Sequence, residues 1–166
     1  GTGDEITNLI SVGGNTDAAA LMVTCKNALA VLYGNSSADW KLDPLSSISG
    51  AQADSAQDIG GVVALDTPGV MRYPHTRNFG NFAWDTVSMD IQPIAKDQEC
   101  ACSVYVSGKF KYRLFFADGT AISGLPVGKG AFEWSVINYG RNILIAVHAE
   151  IGGTARRFCG DGAGWG

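Results

Sequence analysis

The sequence predicts an all-β, antiparallel fold, and three observations predict it. Glycine is abundant, at 22 residues against 5 prolines. It falls between short apolar runs, the pattern of many tight turns joining short strands. Polar and apolar residues alternate in several segments, most cleanly in Phe132-Glu133-Trp134-Ser135-Val136, and a period of two marks a half-buried strand. Helical periodicity is poor. Residues 48–58 have little apolar period and a glycine inside, and read as a loop with at most one helical turn.

Four segments share one plan, an apolar strand, a short turn and a second apolar strand. The first runs over residues 20–25, turns at Lys26-Asn27 and returns over 28–33. The second covers 62–65, turns at Asp66-Thr67-Pro68-Gly69 and returns over 70–73. The third covers 103–106, turns at Ser107-Gly108-Lys109 and returns over 110–116. The fourth covers 143–149, turns at Glu150-Ile151-Gly152-Gly153 and returns over 154–159. The hairpins start near residues 20, 62, 103 and 143, in steps of 42, 41 and 40 (62−20, 103−62 and 143−103).

A unit of about 40 residues is the blade length of many β-propellers, whose blades bury their faces only by stacking. The predicted architecture is therefore antiparallel, propeller-like blades of about 40 residues in one domain over 1–166, incomplete or part of a larger protein. Further strands are expected at residues 39–42, 83–91 and 132–136. Asp118-Gly119 is a tight-turn pair. Before it, Lys111 and Arg113 alternate with Phe110, Tyr112 and Leu114, which predicts a strand with one charged, solvent-facing side. The chain starts Gly1-Thr2-Gly3, without Met, and ends in a turn-like Gly160-Asp161-Gly162. It reads as an excised piece, or as a ring closed by pairing residues 6–12 with the C-terminal strand.

Composition narrows the function. The chain has 166 residues, 46% hydrophobic and 17% charged, enough apolar surface to offset the entropy of ordering one domain. Net charge is −4 and Arg156-Arg157 is the one basic pair. Phosphate-gripping proteins carry a basic stripe, so tight, sequence-specific nucleic-acid binding is not expected. No apolar run approaches about 18 residues, so no membrane partner is expected. The cysteines, Cys25, Cys100, Cys102 and Cys159, form no CxxC pair, which argues against a zinc ribbon. Cys100 and Cys102 are expected on one face of one strand, as ordinary thiols.

Several phrases resemble those of tail proteins from short-tailed bacteriophages. Leu32-Tyr33-Gly34-Asn35-Ser36-Ser37-Ala38-Asp39-Trp40-Lys41-Leu42 is similar to one such phrase. Ser49-Gly50-Ala51, Ile59-Gly60-Gly61-Val62 and Asp66-Thr67-Pro68-Gly69-Val70 continue it in order. Asn78-Phe79-Gly80-Asn81-Phe82, Lys111-Tyr112-Arg113-Leu114-Phe115-Phe116-Ala117-Asp118-Gly119 and Phe158-Cys159-Gly160-Asp161-Gly162-Ala163-Gly164-Trp165 complete it, the last with a departure at its end. The resemblance covers residues 20–166. It implies a tail nozzle or hub subunit containing a β-propeller, made in the host cytoplasm and built into the virion. Such a subunit forms a homo-oligomeric ring with other tail or portal-associated subunits and lets the genome pass. Members of that family are normally much longer. No catalytic residue, metal or cofactor comes with it, so the expected role is structural and not enzymatic.

Two rivals follow from the residues. Tyr73, Trp84, Trp134 and Trp165 could stack on sugar rings, as in a carbohydrate-binding, receptor-recognising module. A β-propeller glycoside hydrolase needs two carboxylates about 5 to 10 Å apart, with Asp66, Asp85, Asp90, Glu133 and Glu150 as candidates. The histidines, His75 and His148, accompany no Gly-x-Ser-x-Gly elbow. Gly124-Leu125-Pro126-Val127-Gly128-Lys129-Gly130 lacks the helix a phosphate loop needs. Ser37-Ala38-Asp39-Trp40 and Asp161-Gly162-Ala163-Gly164-Trp165 hold fragments of a sialidase-type turn. The residues expected at subunit interfaces are Tyr112, Arg113, Phe115, Trp84 and Trp134, because aromatics and arginine are enriched there.

Overall fold

The computed structural model describes residues 3–12, 20–73, 85–128 and 130–163. Three four-stranded antiparallel sheets follow one another, each a meander in chain order. The first holds β1 (Ile6–Val12), β2 (Ala20–Cys25), β3 (Leu29–Tyr33) and β4 (Lys41–Ser46). The second holds β5 (Gln57–Asp58), β6 (Val62–Asp66), β7 (Gly69–Tyr73) and β8 (Asp85–Thr86). The third holds β9 (Cys100–Val106), β10 (Lys111–Phe116), β11 (Thr120–Gly128) and β12 (Ala131–Asn138). A two-stranded hairpin follows, β13 (Ile145–Ile151) and β14 (Thr154–Gly160). Among the described residues, helix is limited to a 3-10 turn at Met89–Ile91 running into α1 (Gln92–Ala95), and a 3-10 turn at Ser107–Lys109. Pro93 lies in the first turn of α1, where a missing N–H removes no helical bond.

All four expected hairpins form, as β2–β3, β6–β7, β9–β10 and β13–β14. Their turns explain why they were legible. Gly152 and Gly153, at φ +59° and +74°, join β13 to β14 with both central residues left-handed, the two-residue turn that matches strand twist. The even spacing, however, compares unlike strands. The hairpins at residues 20 and 62 are second and third strands of their sheets, whereas those at 103 and 143 are first and second strands. Like strands, the first of each unit, start at residues 6, 57, 100 and 145, in steps of 51, 43 and 45 (57−6, 100−57 and 145−100). The pairing of residues 6–12 with the C-terminal strand is also overturned, since β1 pairs with β2 and β14 with β13.

Each sheet packs its face on the next. Met22 and Leu29 of the first meet Val62, Ala64, Met71 and Tyr73 of the second. Val63, Leu65 and Val70 of the second meet Tyr112, Leu114, Phe116 and Ile122 of the third. Cys102, Val104, Val106, Phe115 and Ala121 of the third meet Ile143, Ala146 and Cys159. β6 thus sends alternate residues into two cores, which is why it reads as an unbroken apolar run. Full burial of each large side chain contributes about 1.5–3 kcal/mol. β10 is likewise covered on both sides, which corrects the expectation of a solvent-facing strand. Phe110 lies outside it, at φ +49° and 67% exposed.

A polar loop fastens the first three sheets together. The Gln52 N–H donates to Leu65 O of the second sheet at 2.7 Å, and its carbonyl accepts from Asn8 Nδ2 of the first at 2.9 Å. Its side chain donates to Gln98 O and accepts from Cys100 N at the start of the third, each at 2.9 Å. Ser55, fully buried, gives its hydroxyl to Gln52 O, accepts from Leu65 N and offers its carbonyl to Tyr112 Oη at 2.7 Å. Residues 48–58, expected as a loop, are a loop, but a partly buried one. Gly50 has no room for a side chain, because an added Cβ would lie 2.2 Å from Lys26 O and 2.4 Å from Cys25 O.

Two stability predictions follow from this loop. Gln52→Ala leaves the Gln98 carbonyl and the Cys100 N–H unpaired and lowers the unfolding free energy by about 2–4 kcal/mol in urea titration. Gly50→Ala costs about 1–3 kcal/mol through overpacking, whereas Gly108→Ala, with open space around it, changes stability by less than about 0.5 kcal/mol.

Candidate functional site

The first strands of successive units stand side by side, β1 against β5, β5 against β9 and β9 against β13. Together they wall a cleft of about 740 Å³. Leu9 and Ile10 line it from β1, Gln57 from β5, Ser103 from β9 and Ile145 from β13. β5 is only two residues long, so the preceding loop completes that wall with Asp54 and Ala56. Asp54 holds a left-handed backbone, at φ +58°, a conformation Asp tolerates better than most residues.

The polar groups of the wall are largely committed to one another. Asn8 Nδ2 donates to Thr24 Oγ1 and Gln52 O, each at 2.9 Å, and Thr7 Oγ1 lies 2.9 Å from Thr24 Oγ1. Gln57 Nε2 donates to Ser103 Oγ at 3.1 Å, and Ser103 Oγ donates to Asp54 O at 2.7 Å. Such a wall holds its own shape. Two smaller hollows beside Gln52 share Asp66 and Glu99, with Asp97 added in one and Glu5 and Lys26 in the other.

The carboxylates named from sequence lie on five different elements, and the side chain of Asp85 is outside the described residues. Asp66 accepts from Ser49 Oγ at 2.8 Å, Gly50 N at 3.2 Å and Thr67 N at 2.7 Å, which closes a loop. Asp90 lies in the 3-10 turn, Glu133 on β12 and Glu150 on β13, all exposed. Among the described residues no three of His, Cys, Asp and Glu are grouped to hold a metal ion, and no helix is long and apolar enough to cross a membrane. His148 sits on β13, paired with Arg157. The residues Gly124-Leu125-Pro126-Val127-Gly128 are strand β11 and not a phosphate loop.

The sialidase-like fragments are turn devices. Asp39 accepts from the N–H groups of Asn35 and Ser36 and from the Ser36 hydroxyl, and these bonds hold it below the usual carboxylate range. Asp161 accepts from Ala163 N at 3.0 Å and pairs with Arg141 at 2.9 Å.

The residues expected at subunit interfaces lie mostly within the chain. Tyr112 and Phe115 are 0% and 1% exposed, between sheets, so the contacts expected of them are made inside one molecule. Arg113 is half-buried and reaches Tyr139 Oη at 3.0 Å. Trp134 stacks on Phe132 at 5.4 Å, covers Gly124 and donates Nε1 to Val87 O at 2.7 Å. Its indole is packed on one face and bonded at its N–H, and the ring as a whole is half-buried. Tyr73 is buried, its hydroxyl donating to Gly50 O at 3.1 Å. Trp84, Trp165, His75, Lys129 and the phrase at residues 78–82 lie outside the described residues.

The cysteines differ from expectation in their placing. β9 has one extra residue against β10, since Phe115 faces Cys102 and Phe116 faces Cys100. That bulge at Ala101 turns the two thiols to opposite faces, Cys100 toward the core between the second and third sheets and Cys102 into the core beside the hairpin. No cysteine is in a disulfide. Burial pushes both thiols up to about 12. The sequence matches no protein-family model and no curated protein.

Alkaline pH tests this burial. Cys100, Cys102 and Tyr73 are pushed up to about 12, chiefly by desolvation, and Tyr112 is raised as well. The fold keeps these groups neutral where the unfolded chain has already lost its protons. Their contribution is full below about pH 8.5 and is lost as pH rises toward 12. Thermal unfolding midpoints should fall steadily above about pH 9, and Cys100→Ala should shallow that fall. A midpoint that holds flat to about pH 11 contradicts it.

Proposed function

We propose that this chain is a structural component of a short-tailed phage tail, a nozzle or hub subunit whose sheets act as propeller-like blades around a conduit. The observation that carries the reading is the placing of the four first strands side by side around one cleft. Propeller blades set their inner strands around the central channel in this way. Unit steps of 43 to 51 residues (57−6 and 100−57 being the extremes) lie near the blade length of such folds. The ordered phrases from Leu32-Tyr33-Gly34 to Phe158-Cys159-Gly160 support the same family. Val147 at 43% and Ile151 at 56% exposure supply apolar surface for neighbouring subunits.

The mechanism is packing and not bond-making. A wall whose polar groups satisfy one another presents little for a passing strand to grip. Asp54 on the cleft, and Asp66, Asp97 and Glu99 on a separate hollow, carry charge of the same sign as nucleic-acid phosphate, and like charge discourages adhesion.

Mass spectrometry of purified particles from the encoding phage should place the chain in the tail at fixed, multiple copies per particle, and its absence from particles contradicts the reading. In particles carrying Asp54→Asn with Glu99→Gln, genome exit in a single-particle ejection assay should slow about twofold or more. An unchanged rate contradicts the conduit role of these carboxylates.

A further inference from the structure

A stack of repeated units needs a cover at each end, and repeat proteins supply it with terminal units whose outer face is polar. Neither end of this stack is built that way. In the first sheet, Met22 of β2 and Leu29 of β3 face the second sheet. Side chains alternate along a strand, so Leu21 and Val23 of β2 stand on the opposite face with Ala30 and Leu32 of β3. Register adds Leu42 and Pro44 of β4, since Leu32 lies opposite both Leu21 and Leu42, and Ala30 opposite both Val23 and Pro44. All six are apolar. Leu21, Val23 and Leu32 are half-buried, Leu42 and Pro44 are exposed, and none of the six belongs to the three cores. An antiparallel sheet that faces water carries polar residues on that side, and this face carries none in those two rows.

The other end repeats the pattern. Ala146 and Cys159 of the hairpin face the third sheet. Val147, Ala149 and Ile151 of β13 therefore stand on the outer face, opposite Phe158, Arg156 and Thr154 of β14. Val147 and Ile151 are exposed, and Arg156 is the one charged residue of these six. A two-stranded hairpin covered on one side only is marginal by itself.

Three observations say what covers these faces. Every join inside the chain sets one apolar sheet face on another, and the two end faces are the halves of one more such join. Both are accessible, so they do not cover each other within one chain. Their ends of the chain also carry opposite charge. Residues 1–46 hold five carboxylates against two lysines, and residues 141–161 hold three arginines against two carboxylates. The contacts between first strands run from β1 through β5 and β9 to β13, so the cleft wall ends where the two bare faces begin.

We infer that two copies of this chain associate head to tail, the outer face of each β13–β14 hairpin seated on the outer face of the other copy's first sheet. The contact joins unlike surfaces and is made twice, which closes the ring. Two copies of four units make eight, within the range of about 4 to 8 blades that propellers hold. The second copy then extends the cleft wall with its own four first strands. The inference rests on the blade-like placing of the sheets in the proposed function and not on the tail role.

Sedimentation of the full chain tests it. At micromolar concentration the chain should run at twice its own mass. Leu42→Glu and Val147→Glu, both at exposed positions, should each weaken association about tenfold or more, because each buries a charge in an apolar contact. Far-ultraviolet circular dichroism should be unchanged in both. An equal mixture of the two variants should associate about tenfold more tightly than either alone, because one of its two contacts then carries neither substitution. A chain that stays monomeric throughout overturns the inference. So does a dimer that only one of the two substitutions weakens, the mark of a face that pairs with itself. Either result leaves the particle mass spectrometry as a separate test of the tail role.

Discussion

A four-stranded meander has two faces and covers neither by itself. Everything else in this chain answers that constraint. The second and third sheets are covered on both sides, which makes β6 and β10 interior strands. The polar loop around Gln52 sits where the first three sheets come together. It turns the gaps between their edges into hydrogen bonds, to Asn8 in the first sheet, Leu65 in the second and Cys100 in the third. A buried backbone needs such partners, since an unpaired polar group costs about 1–3 kcal/mol. The same loop carries Asp54 and Ala56 into the cleft, so the element that joins the sheets also finishes the wall.

The hairpins were legible because their signals are local. Gly152-Gly153 and Thr67-Pro68 mark turns whatever surrounds them, and apolar runs on both sides mark the strands. What was not legible depends on neighbours far away in sequence. Which strand of its sheet a hairpin supplies depends on short strands such as β5, with two residues and no alternation to read. Whether β10 faces water depends on a hairpin some 30 residues later, so the charged pattern Lys111, Arg113 looked like a surface. The bulge at Ala101 leaves no sign in a run of small residues. Residues 49–56 look like a solvated loop by composition, and only tertiary hydrogen bonding explains the burial of Ser55.

The same reasoning applies to the candidate site. Aromatic residues read as surface anchors by composition, but Tyr112 and Phe115 are consumed between sheets and Trp134 is held over Gly124. The cleft is formed by strand starts and a loop, elements with few distinctive residues. Its one sequence-visible feature is the acidic balance of the whole chain, of which the cleft wall carries Asp54, while Asp66, Asp97 and Glu99 line a separate hollow.

The central claim is that consecutive sheets radiate from a shared line of first strands. Long-range nuclear Overhauser contacts in the labelled chain measure this most directly. The account predicts contacts from β1 to β5, from β5 to β9 and from β9 to β13, with Cys102 of β9 also close to Ile143 just ahead of β13. Contacts that instead join the last strands β4 and β12 to one another, with β1, β5 and β9 mutually distant, would contradict it and turn the stack inside out.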